Sequence, residues 1–230
     1  MTQPPAVPTG PSHPVRPGPR RRGCVAAPLL VAIALGAVWY FVVLQPRLHF
    51  TNRLVAPVRL VVGAGAPRTV APGATVRVRI PRGRTLVAEW EMVRPLSADS
   101  QPMGEVVKGA LVVREVRGTV RGEAGPRTAD ADFFAPLISN GGDEVIRLVA
   151  NAGLQGARDC GCAVRPGATR VFVGYYRLYQ NSTVLARGVA TGREAFFREL
   201  GPRVTRSDGA VGLRFEARDL RPPAPPRPSR

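Results

Sequence analysis

Residues 70–75 read VAPGAT and residues 164–169 read VRPGAT, and β-branched or alternating residues follow each. Proline presets φ for the first central position of a type II turn and glycine accepts the positive φ of the second. Each stretch therefore predicts a tight turn feeding a strand. After the first, Val76, Val78 and Ile80 alternate with Arg77 and Arg79, the period-2 pattern of a half-buried strand.

Working outward from this pair, aligning Val70 on Val164 brings FTNRLVAPVRLVVGAG (50–65) near RLVANAGLQGARDCG (147–161). It also brings TLVAEW (85–90) near TVLAR (183–187) and GTVRGEA (118–124) near VGLRFEA (211–217). The chain reads as one module written twice, each copy opening on a strand that carries an asparagine, Asn52 or Asn151. The match is out of step at RVFVGYY, where Val171 and Val173 fall out of phase with Val76 and Val78, so either a bulge or an indel intervenes there or the duplication is accidental. Copies of roughly 70 to 75 residues suit small β-sandwiches of Ig-like size.

The expected layout is module 1 over 46–125, a linker over 126–146 and module 2 over 147–219. One helix is predicted inside module 2, over 192–200. Thr191 and Glu194 have capping-box spacing and Gly201-Pro202 supply a stop, with Phe196, Phe197 and Leu200 packing one side onto the sheet.

Ahead of the modules, Cys24 to Leu44 run for 21 residues without a charge, enough for a helix of roughly 30 Å, the hydrocarbon thickness of a bilayer. A single transmembrane helix is expected over 24–44. Trp39, Tyr40 and Phe41 suit the headgroup boundary, and Arg16 and Arg20 to Arg22 precede the helix. The positive-inside rule then puts residues 1–23 in the cytoplasm and the modules outside. A cleaved signal peptide fits less well, because no small-x-small site follows the apolar run. Ala32 and Gly36 form a small-xxx-small pair that permits a homodimer. Residues 1–23 and 220–230 are rich in Pro and Arg and read as disordered tails.

The net charge is +17, and Lys108 is the one lysine among 33 Lys plus Arg. The arginines are scattered rather than clustered, and no aromatics interleave with a basic stripe, which argues against nucleic acid as a partner. No HExxH, GxSxG or Walker-type motif occurs, so no catalytic residue is assigned and the chain is read as not an enzyme. Asp130, Asp132, Asp143 and Glu144 hold oxygen ligands of the kind calcium takes, without EF-hand spacing.

Two candidate sites remain. Tyr175, Tyr176 and Tyr179 in GYYRLYQNST offer large contact area at low entropy cost and are candidate partner-binding residues, the partner being an envelope protein or polymer; cross-strand packing explains them equally well. Cys160 and Cys162 flank Gly161 and pair either as a small-loop disulfide or as a soft-metal site. A Cys-x-Cys beside a Pro-Gly turn, on a β-domain behind one membrane helix, resembles the copper-delivery assembly factor of cytochrome oxidase. The resemblance covers those two cysteines and the general layout, and it implies Cu(I) at Cys160 and Cys162.

Overall fold

The computed structural model describes residues 26–43, 45–81, 83–114, 118–204 and 206–222. The chain divides into two compact units, residues 1–44 and 45–230.

In the first unit, AAPLLVAIALGAVWYFVV forms helix α1 (Ala26–Val43), with no acidic residue in its first turn and no basic residue in its last. Its 18 residues rise about 27 Å. The described side chains are exposed, Leu30 at 65 % and Trp39 at 60 % among them. Among the described residues no helix is long and apolar enough to cross a membrane; the expected span 24–44 reaches past the described side chains at both ends. The tail 1–23 lies outside the described residues, as do 223–230 of the other tail; Leu220–Pro222, expected in that disordered tail, are instead held in place, Leu220 buried and Arg221 bridging Glu194.

The second unit is all β apart from short 3-10 turns. Module 1 contains β1 (Arg47–Asn52), β2 (Val58–Val62), β3 (Arg68–Val70), β4 (Thr75–Arg79), β5 (Leu86–Met92), β6 (Lys108–Val113) and β7 (Thr119–Ala124). They form two sheets, β4-β1-β7 and β3-β2-β5-β6. Alternation decides which face is inward: Leu48, Phe50 and Asn52 of β1 are buried, as are Ala88, Trp90 and Met92 of β5. β1 pairs antiparallel with β4 and parallel with β7.

Module 2 repeats this plan with β8 (Phe133–Gly141), β9 (Ile146–Ala150), β10 (Arg158–Asp159), β11 (Val171–Phe172), β12 (Tyr176–Arg177), β13 (Val184–Gly188), β14 (Glu194–Phe197) and β15 (Ala210–Glu216). β8 pairs antiparallel with β11 and β12 and parallel with β15, and the other sheet runs β10-β9-β13-β14. The two copies therefore share their sheet order, including the less common parallel pair.

The repeated PGAT turns close around a buried asparagine. Asn52 Nδ2 donates to the Ala56 and Val70 carbonyls at 2.9 Å, and its Oδ1 accepts from Leu54 N at 2.9 Å. Asn140 Nδ2 donates to the Glu144 and Val164 carbonyls at 2.9 Å, and its Oδ1 accepts from Gly142 N at 3.0 Å. Gly73 N donates to Asn52 O, and Gly167 N to Asn140 O, both at 2.8 Å. The two turn glycines sit at φ +72° and +74°, as a type II turn demands.

Two sequence expectations need correction here. The partner of Asn52 is Asn140, not Asn151, and residues 126–146 are no linker, because they contain β8, the central strand of its sheet. The phase slip has a local cause: Val76 pairs with Phe50 while Val171 pairs with Ile138. One extra residue, Arg170, is accommodated at φ +51° with its N–H on Ser139 Oγ at 3.1 Å. This bulge restores the inward phase, so Val173 is buried like Val78.

The predicted helix 192–200 is a strand. Thr191 Oγ1 donates to Glu144 instead of capping, while Glu194–Phe197 pairs with Arg187–Val184. Ala195 points inward, and Phe197 meets Phe215 edge-on at 4.8 Å, whereas Phe196 is 44 % exposed under Arg198. Two-fold alternation and sheet pairing outweigh local capping propensity in so short a segment.

The cores interleave at the junction. Phe133, Ala135 and Tyr175 of module 2 are buried in the core of module 1, and Met103 of module 1 is buried in the core of module 2. Gly104 and Gly174 face each other so closely that a Cβ on Gly104 would lie 2.8 Å from Gly174 Cα.

Candidate functional site

Tyr175 and Tyr176 are 0 % and 1 % exposed, so neither ring offers a free contact surface. Tyr175 packs in the core of module 1 and Tyr176 in that of module 2. Burial pushes both hydroxyls well above the ordinary tyrosine range. Tyr176 Oη donates to the Val173 carbonyl at 2.8 Å. Tyr179 is 38 % exposed, with its ring against Gly156. The three tyrosines do not converge on one surface.

Cys160 and Cys162 form a disulfide with Cα atoms 5.1 Å apart, and both are buried in the core of module 2. Its place in the sheet explains the motif. Val164 bridges Ile146 and Cys160 N donates to Leu148 O at 3.0 Å, so the five residues Cys160–Val164 span only the three residues Ile146–Leu148 of β9. The disulfide closes this two-residue bulge, with Gly161 at φ +62° and its N–H on Asp159 Oδ1 at 2.8 Å. With both sulfurs bonded to each other, neither presents a thiolate of the kind Cu(I) requires.

The acidic residues separate as well. Glu144 reaches across to the loop after β13, accepting from Thr191 Oγ1 at 2.5 Å, Ala190 N at 3.0 Å and Thr191 N at 3.1 Å. The Thr191 hydroxyl, with smaller help from these amides and Arg193, holds its carboxyl below the usual range. Asn140, Gly141 and Gly142 build the turn beside it. Among the described residues no three potential metal ligands gather.

The feature that sequence reasoning missed is a groove of about 730 Å³ over the outer face of β2, β5 and β6, completed by Glu123 and residues 127–130. Its floor carries a charge row in register across three strands: Arg59 opposite Glu91, and Glu91 opposite Lys108. Alternating signs on one face stabilise such pairs modestly. Beside this row stand Val61, Glu89 and Ala110, also in register. Trp90 and Gly109 also border the groove, but the indole points to the inward face of β5, where the absent side chain of Gly109 makes room for it: a Cβ there would approach within 2.8 Å of the ring.

The sequence matches no known protein family and no curated protein. The one available signal in the sequence was Lys108, a lysine in a chain that otherwise uses arginine, and it sits on the outermost strand of the groove.

Proposed function

We propose that this chain is a single-pass membrane protein in which α1 anchors a two-module β unit outside the cytoplasmic membrane, where the unit binds or scaffolds an envelope protein or polymer. The observation that carries this reading is α1 itself. It is apolar on every side, its described side chains are all exposed, and it belongs to a different compact unit from the modules. A helix of that character finds its burial in lipid rather than in a protein core.

The arginines before the helix favour a cytoplasmic N-terminus, and the buried disulfide suits an oxidising compartment. The modules are Ig-like in size and in their two-sheet layering, with the parallel β1·β7 and β8·β15 pairs as their own feature. A binding role fits an open groove whose floor is a row of charges in register. Ala32 and Gly36 would let two anchors approach, Gly36 having no neighbour within 4 Å.

The test is protease added outside intact spheroplasts, combined with alkaline extraction of the membranes. Digestion of residues 45–222, with the anchor retained in the pellet, is the expected result. Protection of that region, or its release as a trimmed soluble form, overturns the reading.

A further inference from the structure

In module 2 the outer side of β14 is already occupied. Glu194 N donates to Arg221 O at 2.7 Å and Arg221 N donates to Glu194 O at 2.9 Å, so the chain's own Leu220–Pro222 stretch lies along β14 as a short antiparallel strand. Leu220 is buried in the core beneath it.

The repeat carries this position onto module 1. Met92 N donates to Val107 O at 2.8 Å, as Gly188 N donates to Arg193 O at 2.8 Å, so Lys108 stands where Glu194 stands. Lys108, Ala110 and Val112 consequently turn their N–H and C=O groups away from β5, since hydrogen-bonded and non-bonded pairs alternate along an antiparallel ladder. Among the described residues no backbone group takes up these donors and acceptors. After β7 the chain does not return along the edge as it does after β15. It turns back at once, with Thr128 N on Ala131 O and Phe133 N on Pro126 O, and enters β8.

We propose that the β6 edge from Lys108 to Val112 receives an extended, arginine-bearing segment of a partner protein as an added strand, in the manner in which β14 receives Leu220–Pro222. This deepens the binding role proposed above by naming its surface and the chemistry of its partner. Strand addition supplies affinity through the main chain and selectivity through alternate side chains. Selectivity here comes from Glu89, which faces Ala110 across β5·β6, and from Asp130 on the loop beside the groove. Neither has an ion-pair partner among the described residues, while Glu123 is paired with Arg53 at 2.7 Å. The groove is lined by charges of both signs, Arg59, Lys108 and Arg127 among them, and the two carboxylates left without an ion-pair partner complement an incoming guanidinium. Lys108 at the edge disfavours indiscriminate pairing, and it occupies only one end of the strand.

The test uses the full chain in detergent micelles and a fluorescent peptide with the sequence of residues 217–222. Lys108, the one lysine, is acylated with and without peptide and its modification quantified by mass spectrometry. Saturable binding is expected, with Lys108 acylation slowed at least fivefold. N-methylation of the peptide at the backbone nitrogen of Arg221, or Arg221 replaced by glutamate, is expected to weaken binding at least tenfold. Ala110→Pro removes an N–H that β5 does not use, so it is expected to abolish binding at an unchanged melting temperature. If Ala110→Pro lowers that temperature, the N-methyl comparison on the unmodified chain decides alone. No saturable binding, equal binding of the N-methylated peptide, or binding that leaves Lys108 as reactive as before overturns the proposal. So does protection of Lys108 by self-association without peptide, which assigns the edge to a second copy. Protease accessibility judges the anchor separately, and neither result alters the other.

Discussion

Val55 and Tyr175 lie 120 positions apart in the chain, and the amide of the first donates to the hydroxyl of the second at 3.0 Å. The same hydroxyl donates to the Asp208 carbonyl at 2.6 Å. One side chain from module 2 thus fills a hole in the core of module 1 and ties a loop of each module to its tip.

Tyr175→Phe keeps the ring and removes this tie, leaving the Val55 amide without its acceptor; a loss of about 1–2 kcal/mol is expected in denaturant unfolding. The hydroxyl also sets an alkaline limit. The folded pKa of Tyr175 is raised by burial, so its contribution is intact below the unfolded value of about 10 and is lost as pH rises from there towards the folded one. Melting curves above pH 10 should fall less steeply for Tyr175→Phe than for the parent chain.

The two asparagine nodes predict matched penalties. Asn52→Ala and Asn140→Ala each remove three hydrogen bonds to buried or part-buried backbone, and each should cost about 2–4 kcal/mol. Asn151 makes one side-chain bond, to the Arg177 carbonyl at 2.9 Å. Its Oδ1 is buried without a partner and its φ is +54°, so Asn151→Gly should cost less than about 1 kcal/mol. A result in which Asn151→Gly is as damaging as the other two would contradict the equivalence drawn between the modules.

Much of this plan was legible in the sequence, and the failures have identifiable causes. The PGAT turns, the alternation over Val76–Ile80, and the matching of β5 with β13 and β7 with β15 were all visible, because turn chemistry and period-2 patterns are local. Asn140 was hidden because a single alignment offset cannot span the extra residues that the second copy carries between its asparagine and its turn. FFAPLISNG also contains Pro136 and shows little alternation, being buried on both faces. The strand at Glu194–Phe197 was hidden because its partners, Arg187 and Arg221, are supplied by other parts of the chain. The groove had no motif at all, since cross-strand register alone brings Arg59, Glu91 and Lys108 into line.

Glu144 predicts an acid-side signature. Its folded pKa is depressed, chiefly by the Thr191 hydroxyl, so its contribution is present above the unfolded value of about 4.3 and disappears as pH falls through the lower folded one. Glu144→Gln should destabilise the chain at pH 7 and flatten the fall in melting temperature between about pH 5 and pH 3. Thr191→Val should weaken the same pH dependence while leaving the alkaline limb unchanged.

The disulfide predicts silence towards thiol reagents. Cys160 and Cys162 should resist alkylation in the folded chain and react after denaturation with reductant. Replacing both with serine should cost about 1–2 kcal/mol, the chain-entropy value of so small a loop. Cu(I) titrated into the oxidised chain should bind no more tightly than to that double variant.

Gly104 and Gly174 bring the backbones of the two modules close together at the joint, where each module also lends side chains to the other's core. Cutting the gene between the two repeats would therefore strip Phe133 and Tyr175 out of one product and Met103 out of the other, yielding two sticky fragments rather than two small proteins. Calorimetry on the whole chain should accordingly record a single melting peak, because each half completes the other's interior and neither melts alone.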